Sequence, residues 1–235
     1  MGNYLETIYF RDEYSEKGYP QKLCNYIFEN IINKQFSNVN NLKLLDIGSG
    51  KGNHLVGFSR KKIECFGIDK REECINISDK FTIKDCDLEK DSFPYDNNYF
   101  DIVFSKSVIE HVVNADNILS ESYRVLKKGG LLILMTPDWG SQHKVFWDDY
   151  THVKAWTRKG LQDALWMKNF KDVNCKLFRQ LPIIWKYPIL NILADITSLL
   201  PENFKWKDKE EKIFREWIRF SKEKMLLAVS KKPNE

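Results

Sequence analysis

A chain of 235 residues, 43% hydrophobic and 30% charged, has the length for one α/β domain with an insertion and the apolar content for a full core. Its net charge of +4 suits an anionic substrate but is far below what a nucleic-acid binder needs. The five cysteines (Cys24, Cys65, Cys74, Cys86 and Cys175) form no C-x-x-C pair, which argues against a zinc site or disulfide framework and for a reducing compartment.

In chain order, residues 4–19 are aromatic and charged without a clean period. No apolar signal core follows Met1, and Glu6 stands where a myristoylation signal wants Ser or Thr, so a cytoplasmic location is expected. Pro20 opens a helix through Phe36, with Leu23, Tyr26, Ile27, Ile31 and Ile32 on one face. Asn38 to Asn41 is a turn. Leu44 to Ile47 is a short apolar strand that runs into Gly48-Ser49-Gly50-Lys51-Gly52, and a helix starts at Asn53. Glycines at alternate positions let a ligand approach the main chain, and such a loop at a strand's carboxyl end is where open α/β sheets bind nucleotide-like ligands. A dinucleotide fingerprint would need glycine at Asn53, and a phosphate P-loop would need Ser or Thr at Gly52, so both fail.

Ile63 to Ile68 reads as a second strand ended by Asp69 and Lys70. An acid about 20 residues past the glycine loop can accept hydrogen bonds from both hydroxyls of a ribose. Phe81 to Lys84 is a third strand leading into Asp85-Cys86-Asp87-Leu88. Asp96 to Asn98 is turn chemistry before a buried fourth strand, Ile102 to Phe104, and Ser105 to His111 follows at its carboxyl end. Asn114 to Leu126 is an amphipathic helix, and Gly129-Gly130 reads as its stop before a fifth strand, Leu131 to Met135. Residues 138–158 form a long loop, and long structureless loops in a compact domain are commonly functional. Thr157 caps a helix from Arg158 to Asn169, and Val173 to Phe178 is a sixth strand. Residues 181–220 read as a helical insertion. Pro182, Lys186, Pro188 and Asp195 make a spanning helix unfavourable in its apolar half, while its lysines and tryptophans would suit a membrane surface or a dimer contact. Met225 to Ser230 supplies the closing strand.

Asp46-Ile47-Gly48-Ser49-Gly50-Lys51-Gly52 resembles the first motif of the class I S-adenosylmethionine (SAM) methyltransferases. Phe93-Pro94-Tyr95 with Phe100-Asp101-Ile102-Val103 resembles the same family's L-P-F…F-D-V-V run. Arg124-Val125-Leu126-Lys127-Lys128-Gly129-Gly130 resembles its R-V-L-K-P-G-G step, with Lys128 in place of proline. These matches, which suit the methyltransferase domain 11-like branch, fall in order between residues 42 and 137. The resemblance implies an α/β, Rossmann-like doubly wound sheet of seven strands in the order 3-2-1-4-5-7-6, the last antiparallel. It implies one domain over 1–235, with a lid segment at 1–40, an active-site loop at 138–158 and a helical cap at 181–220.

The resemblance also implies where SAM would sit. Asp46, Gly48, Ser49, Gly50, Gly52 and Asn53 would hold its amino-acid end, with Asp69 and Lys70 at the ribose. Cys86, Asp87 (or its rival Asp85) and Leu88 would surround the adenine, and Ser105 would close the pocket. Tyr9, Tyr14, Tyr19, His143 and Trp147 become lid or substrate residues.

Methyl transfer from a sulfonium mainly needs alignment, but a hydroxyl acceptor must also lose a proton. His111 and His152 are the candidate bases, with Asp148 and Asp149 beside them in the loop. No metal is expected, because metal-dependent O-methyltransferases carry an acid where Ser105 stands; Asp148, Asp149, His143 and His152 would be the ligands otherwise. The expected acceptor is a small molecule, most of all a sugar or sugar nucleotide of a surface-polysaccharide pathway. A lipid-linked or aromatic, quinone-like acceptor is the competing reading. A non-catalytic SAM-binding module has Asp46, Asp69 and Asp87 against it. A nucleic-acid substrate is disfavoured because no Asn/Asp-Pro-Pro-Tyr step follows the fourth strand.

Overall fold

The computed structural model describes residues 18–70, 74, 80–201 and 212–234, the side chains of 212, 213 and 215 excepted. Parallel strands buried on both faces need near-continuous apolar runs, and the central strands have them. β1 (Lys43–Ile47), β2 (Glu64–Asp69), β3 (Thr82–Asp85), β4 (Phe100–Lys106) and β5 (Leu126–Pro137) pair in parallel, while β7 (Met225–Lys231) runs antiparallel between β5 and β6 (Lys171–Phe178). The resulting order is β3-β2-β1-β4-β5-β7-β6, as the resemblance implies.

Alternation along each strand splits the core into two layers. On one face Leu45, Ile47, Val103, Leu132 and Leu134 pack under α3 (Ala115–Val125) and α5 (Arg158–Met167). On the other face Leu44, Ile102, Phe104, Leu131 and Ile133 pack under α1 (Tyr19–Ile27) and α2 (Asn53–Ser59). Each fully buried side chain of this size contributes about 1.5–3 kcal/mol. Gly57 of α2 lets α1 in close, since a Cβ there would sit 2.5 Å from Cys24 Sγ.

Several expectations shift. β2 and β3 begin and end one residue later than their apolar runs suggest. The first helix runs on through a π turn at Phe28–Ile32 to Gln35. Gly129-Gly130 is no helix stop: α3 already ends at Val125, and the glycines form an irregular stretch at the start of β5. There Phe100 pairs with Leu126 but Ile102 pairs with Leu131. Gly129 sits at φ +76° and its N–H donates to the carbonyl of Lys232, so the pair shapes the β5–β7 edge. The 138–158 segment is not structureless. It contains a turn of helix, α4 (Trp139–Gln142), and a 3₁₀ turn at Phe146–Asp148, and Asp138 bridges Trp156.

Thr157 does cap α5, its hydroxyl accepting from the Gly160 N–H. The 181–220 insertion holds α6 (Pro182–Lys186) and α7 (Leu190–Thr197), and α8 (Lys212–Lys222) begins within it. Leu181, Ile184 and Ala194 make a small third core there with Trp217 and Phe220, and Trp185 of α6 packs against Tyr26 of α1 at a tilt of 44°. No described helix is long and apolar enough to cross a membrane.

Candidate active site

The carboxyl ends of β1, β2 and β4 converge on the glycine loop. Gly48, Gly50 and Gly52 all sit at positive φ (+66°, +52° and +71°), angles that favour glycine. The loop is pinned by its neighbour strand. The N–H groups of Gly48 and Ser49 donate to the Ile68 carbonyl at 2.8 and 3.1 Å, and Gly50 N–H donates to Asp69 Oδ2 at 3.0 Å. The buried Asp69 therefore clamps the loop as well as ending β2. From the other side Val108 presses on the loop, and a Cβ added at Gly48 would lie 2.5 Å from Val108 Cγ2.

Beneath the loop Asp46 is 1% exposed, and burial together with the nearby Asp69 charge pushes its carboxyl well above the usual range. His54 lies with Nδ1 3.9 Å from Asp46 Oδ2, and burial and the Lys106 charge push its pKa down to about 3. Each of the two is thus biased toward its neutral form. Asp46 Oδ2 and Ser49 Oγ are buried without a hydrogen-bond partner among the described residues. Buried polar atoms are normally satisfied, so these two are groups that a ligand lying on the loop can complete.

Past β3, Cys86 and Leu88 are buried as an apolar floor, Asp85 is exposed, and half-buried Asp87 has Oδ1 accepting from the Glu89 N–H. Lys70 is exposed. Ser105 is buried, but its hydroxyl donates to the Ile47 carbonyl at 3.1 Å, so it serves the β1–β4 pairing.

A second group gathers just beyond β4. Glu110 is fully buried in a 3₁₀ turn (Ile109–His111), with Oε2 accepting from Thr136 Oγ1 at 2.9 Å. Burial raises its pKa to about 7 against the pull of its backbone, Thr136 and Lys106. The Thr151 hydroxyl donates to Asp149 Oδ1 at 2.6 Å, so it accepts from His111 Nδ1 at 2.9 Å. That fixes the tautomer of the neutral His111 ring, with its proton on Nδ1 and its lone pair on Nε2. His152 Nδ1 donates to the Phe146 carbonyl at 2.6 Å, so the neutral ring carries its lone pair on Nε2 as well. The two imidazoles lie 4.8 Å apart, and Asp149 Oδ2 is 4.0 Å from His152 Nε2. Burial works to raise Asp149, but the Thr151 hydroxyl and N–H and the two histidines outweigh it and hold it below the usual carboxylate range. Trp156 Nε1 donates to the Ile109 carbonyl and steadies the turn.

The structure thus brings His111, His152 and Asp149 together. It leaves Asp148, His143 and Trp147 exposed, with His143 Nδ1 3.3 Å from the Gly140 carbonyl, so Asp148, Asp149, His143 and His152 do not assemble as a ligand set. Tyr19 packs at 5.8 Å from Trp185 with the Lys106 ammonium 5.9 Å from its ring centre; Tyr9 and Tyr14 lie outside the described residues. Glu110, Thr151 and Thr136 were not singled out from sequence. Glu110 had a signal, its adjacency to His111, whereas the two threonines had none.

A family model described as a methyltransferase domain matches residues 45–134. That segment is a class I SAM-dependent methyltransferase domain, and the seven-strand order carries the fold on to residue 231. Among curated proteins, the ubiquinone biosynthesis O-methyltransferase of Pelagibacter ubique is 33% identical over 123 residues, 47% of this chain and 50% of that one. The sarcosine/dimethylglycine N-methyltransferase of Aphanothece halophytica is 30% identical over 112 residues, 40% of this chain and 38% of that one. The chain thus spans half or less of the length of these relatives. A solved SAM-dependent methyltransferase from Archaeoglobus fulgidus superposes with a TM-score of 0.62 at 20% identity, covering 90% of this chain and 94% of that one. The Haemonchus contortus phosphoethanolamine N-methyltransferase 2 solved with SAM gives 0.61 at 17%, covering 98% and 59%. SAM is the cofactor these findings support, and the glycine loop with its two unpartnered polar atoms suits it.

Proposed function

We propose that the chain transfers the SAM methyl group to a hydroxyl oxygen of a small-molecule acceptor. The observation that carries this reading is the juxtaposition of two sites through a single side chain. Val108 touches the glycine loop, and two residues later Glu110 and His111 begin the cluster completed by His152. SAM supplies an activated methyl. The loop glycines and Asp46 would hold its amino-acid end, and Asp69 would accept from its ribose hydroxyls. Leu88 and Cys86 would cover its adenine, and Asp87 would accept from the exocyclic amine. His111, fixed through Thr151 and Asp149, and His152, fixed by the Phe146 carbonyl, present basic nitrogens that withdraw the acceptor's proton. Such groups contribute about 10²–10⁴-fold.

The acceptor we infer is a sugar or sugar nucleotide. Trp147 and Tyr150 stand exposed on the loop beside the cluster, and flat aromatic faces next to buried hydrogen-bonding groups suit a polyol ring. On this reading the 138–158 segment covers the acceptor, the 1–40 segment serves as the lid and the 181–220 helices cap the cleft. One feature favours a second acceptor class. Ile189, Ile192, Leu193 and Ile196 are exposed along α6–α7, which suits a lipid-linked or quinone-like substrate.

The test is a mass-spectrometric screen of purified protein with SAM against nucleotide sugars, phenols and lipid-linked sugars. Formation of S-adenosylhomocysteine with a methylated sugar supports the reading. His152→Ala should cut turnover at least tenfold and leave S-adenosylhomocysteine affinity unchanged; full activity in that variant removes the proton-withdrawing role. Tight cofactor binding with no turnover across the whole panel would favour a regulatory module instead.

A further inference from the structure

We propose that Glu110, His111 and His152 form a binding site for a divalent first-row transition-metal ion, and that the ion is the means by which the cluster activates the acceptor oxygen. Donor atoms from the three residues all lie within 4.8 Å of one another. Two donors ~2.1 Å from a shared ion are ~3–3.5 Å apart, so small side-chain rotations close the site. The set of two imidazoles and one carboxylate on one side of an ion, with the remaining positions open, suits iron(II), manganese, cobalt or zinc better than magnesium or calcium.

Three observations point to a cation rather than to a packed polar cluster. Both Nδ1 hydrogens are committed to acceptors outside the cluster, so each ring, when neutral, turns its Nε2 lone pair to its remaining side. Glu110 adds a carboxylate whose Oε1 is buried without a hydrogen-bond partner among the described residues, at a residue with no solvent exposure. A buried carboxylate oxygen facing two basic nitrogens is costly unless a proton or a cation joins them. The surrounding bonds also match what metal-holding imidazoles need. Thr151 with Asp149 and the Phe146 carbonyl orient the two rings, and Thr136 orients the carboxylate.

The inference deepens the reading above and rests on it only for the ion's purpose. An acceptor hydroxyl bound to the ion's open position loses its proton to water. The resulting oxyanion attacks the SAM methyl carbon, and the S–CH3 electron pair stays on sulfur. No other reactant is needed. An ion there withdraws the proton electrostatically, and His111 and His152 then act as its ligands.

The experiment uses untagged full-length protein stripped with chelator, titrated with Co2+ by calorimetry and by visible absorption. One Co2+ per chain with a visible d–d band is expected. Glu110→Gln and His152→Ala should each weaken that affinity at least about 100-fold, and Thr151→Ala about 10–100-fold by loosening His111. Asp148→Asn, an exposed neighbour, should leave it unchanged. Unaltered circular dichroism and S-adenosylhomocysteine binding identify the variants that are folded. No stoichiometric Co2+ uptake by folded wild-type protein overturns the inference, as does equal affinity in folded Glu110→Gln and His152→Ala. Methyl transfer that persists in chelator without Co2+ uptake sinks the metal site alone, whereas stoichiometric Co2+ uptake without any methyl transfer sinks the proposed activity alone.

Discussion

Gly48→Ala tests the contact that joins the cofactor loop to the acceptor cluster. Two costs add at this position. An alanine held at φ +66° costs about 1–2 kcal/mol against glycine. Its methyl would also lie 2.5 Å from Val108 Cγ2 and 3.2 Å from Cγ1, an overpacking worth about 1–3 kcal/mol. The variant should therefore lose about 2–5 kcal/mol of stability. Val108→Ala removes both methyls that clash, at its own cost of about 1–1.5 kcal/mol for a half-buried valine. In that background Gly48→Ala should cost only the backbone strain, giving a favourable coupling of about 1–3 kcal/mol. Urea unfolding followed by the fluorescence of the seven tryptophans measures all four corners of the cycle, provided the m-value stays constant. Equal costs of Gly48→Ala in the two backgrounds, within about 0.5 kcal/mol, would show that Val108 does not rest on the loop. A total cost below about 1 kcal/mol would refute the left-handed turn itself.

Three further outcomes follow from other parts of the structure. Asp69→Ala removes the acceptor of the Gly50 N–H and the proposed ribose contact, so calorimetry should find SAM affinity reduced at least tenfold, and unchanged affinity would count against the assignment. His54 should resist protonation down to about pH 3. Its folded pKa lies below the unfolded value of about 6.5, so the unfolded chain takes up a proton that the folded chain declines, and this group's contribution to stability falls as pH drops from 6.5 toward 3. The loss is up to about 5 kcal/mol, and an imidazole NMR signal that titrates near pH 6 would disprove it. Arg124→Met removes the guanidinium that binds Glu121, Asn97 Oδ1 and the carbonyls of Phe93 and Tyr95, and should cost about 2–4 kcal/mol. Burial works to raise Glu121, but Arg124 and the Phe93 N–H outweigh it and hold its pKa below the usual range. The stabilisation is therefore present above pH ~4.5 and lost as pH falls through the lowered value, so the wild-type advantage over Arg124→Met should shrink in acid. A pH-independent difference would place the effect in packing instead.

The strands, their order and the glycine loop were legible because each rests on a local pattern: apolar runs, glycines at alternate positions, an acid ending β2. The double glycine at 129–130 misled for the same reason. Gly-Gly reads as a helix stop, yet here it forms the irregular start of an edge shared with Lys232, a partner about a hundred residues away that no local window contains. The 138–158 segment hid its order similarly. The bonds that fix it run to Glu110, whose carbonyl accepts from the N–H groups of Val153 and Lys154, and to His111 through Thr151.

Glu110 shows most clearly where local reading stops. As one letter in Ile-Glu-His it is an ordinary surface acid. The fold makes it fully buried, because β4 ends under the 138–158 segment and Trp156 closes over the turn. Burial changes its chemistry. A solvated glutamate would be one more surface charge, but a desolvated one next to two imidazoles with lone pairs must take a proton or hold a cation. The proton would leave the cluster a hydrogen-bonded acid–base pair and the cation would make it a Lewis acid. Those outcomes differ in one measurable respect: only the second makes Glu110→Gln, which preserves shape and removes charge, as damaging to Co2+ affinity as the loss of a histidine ring.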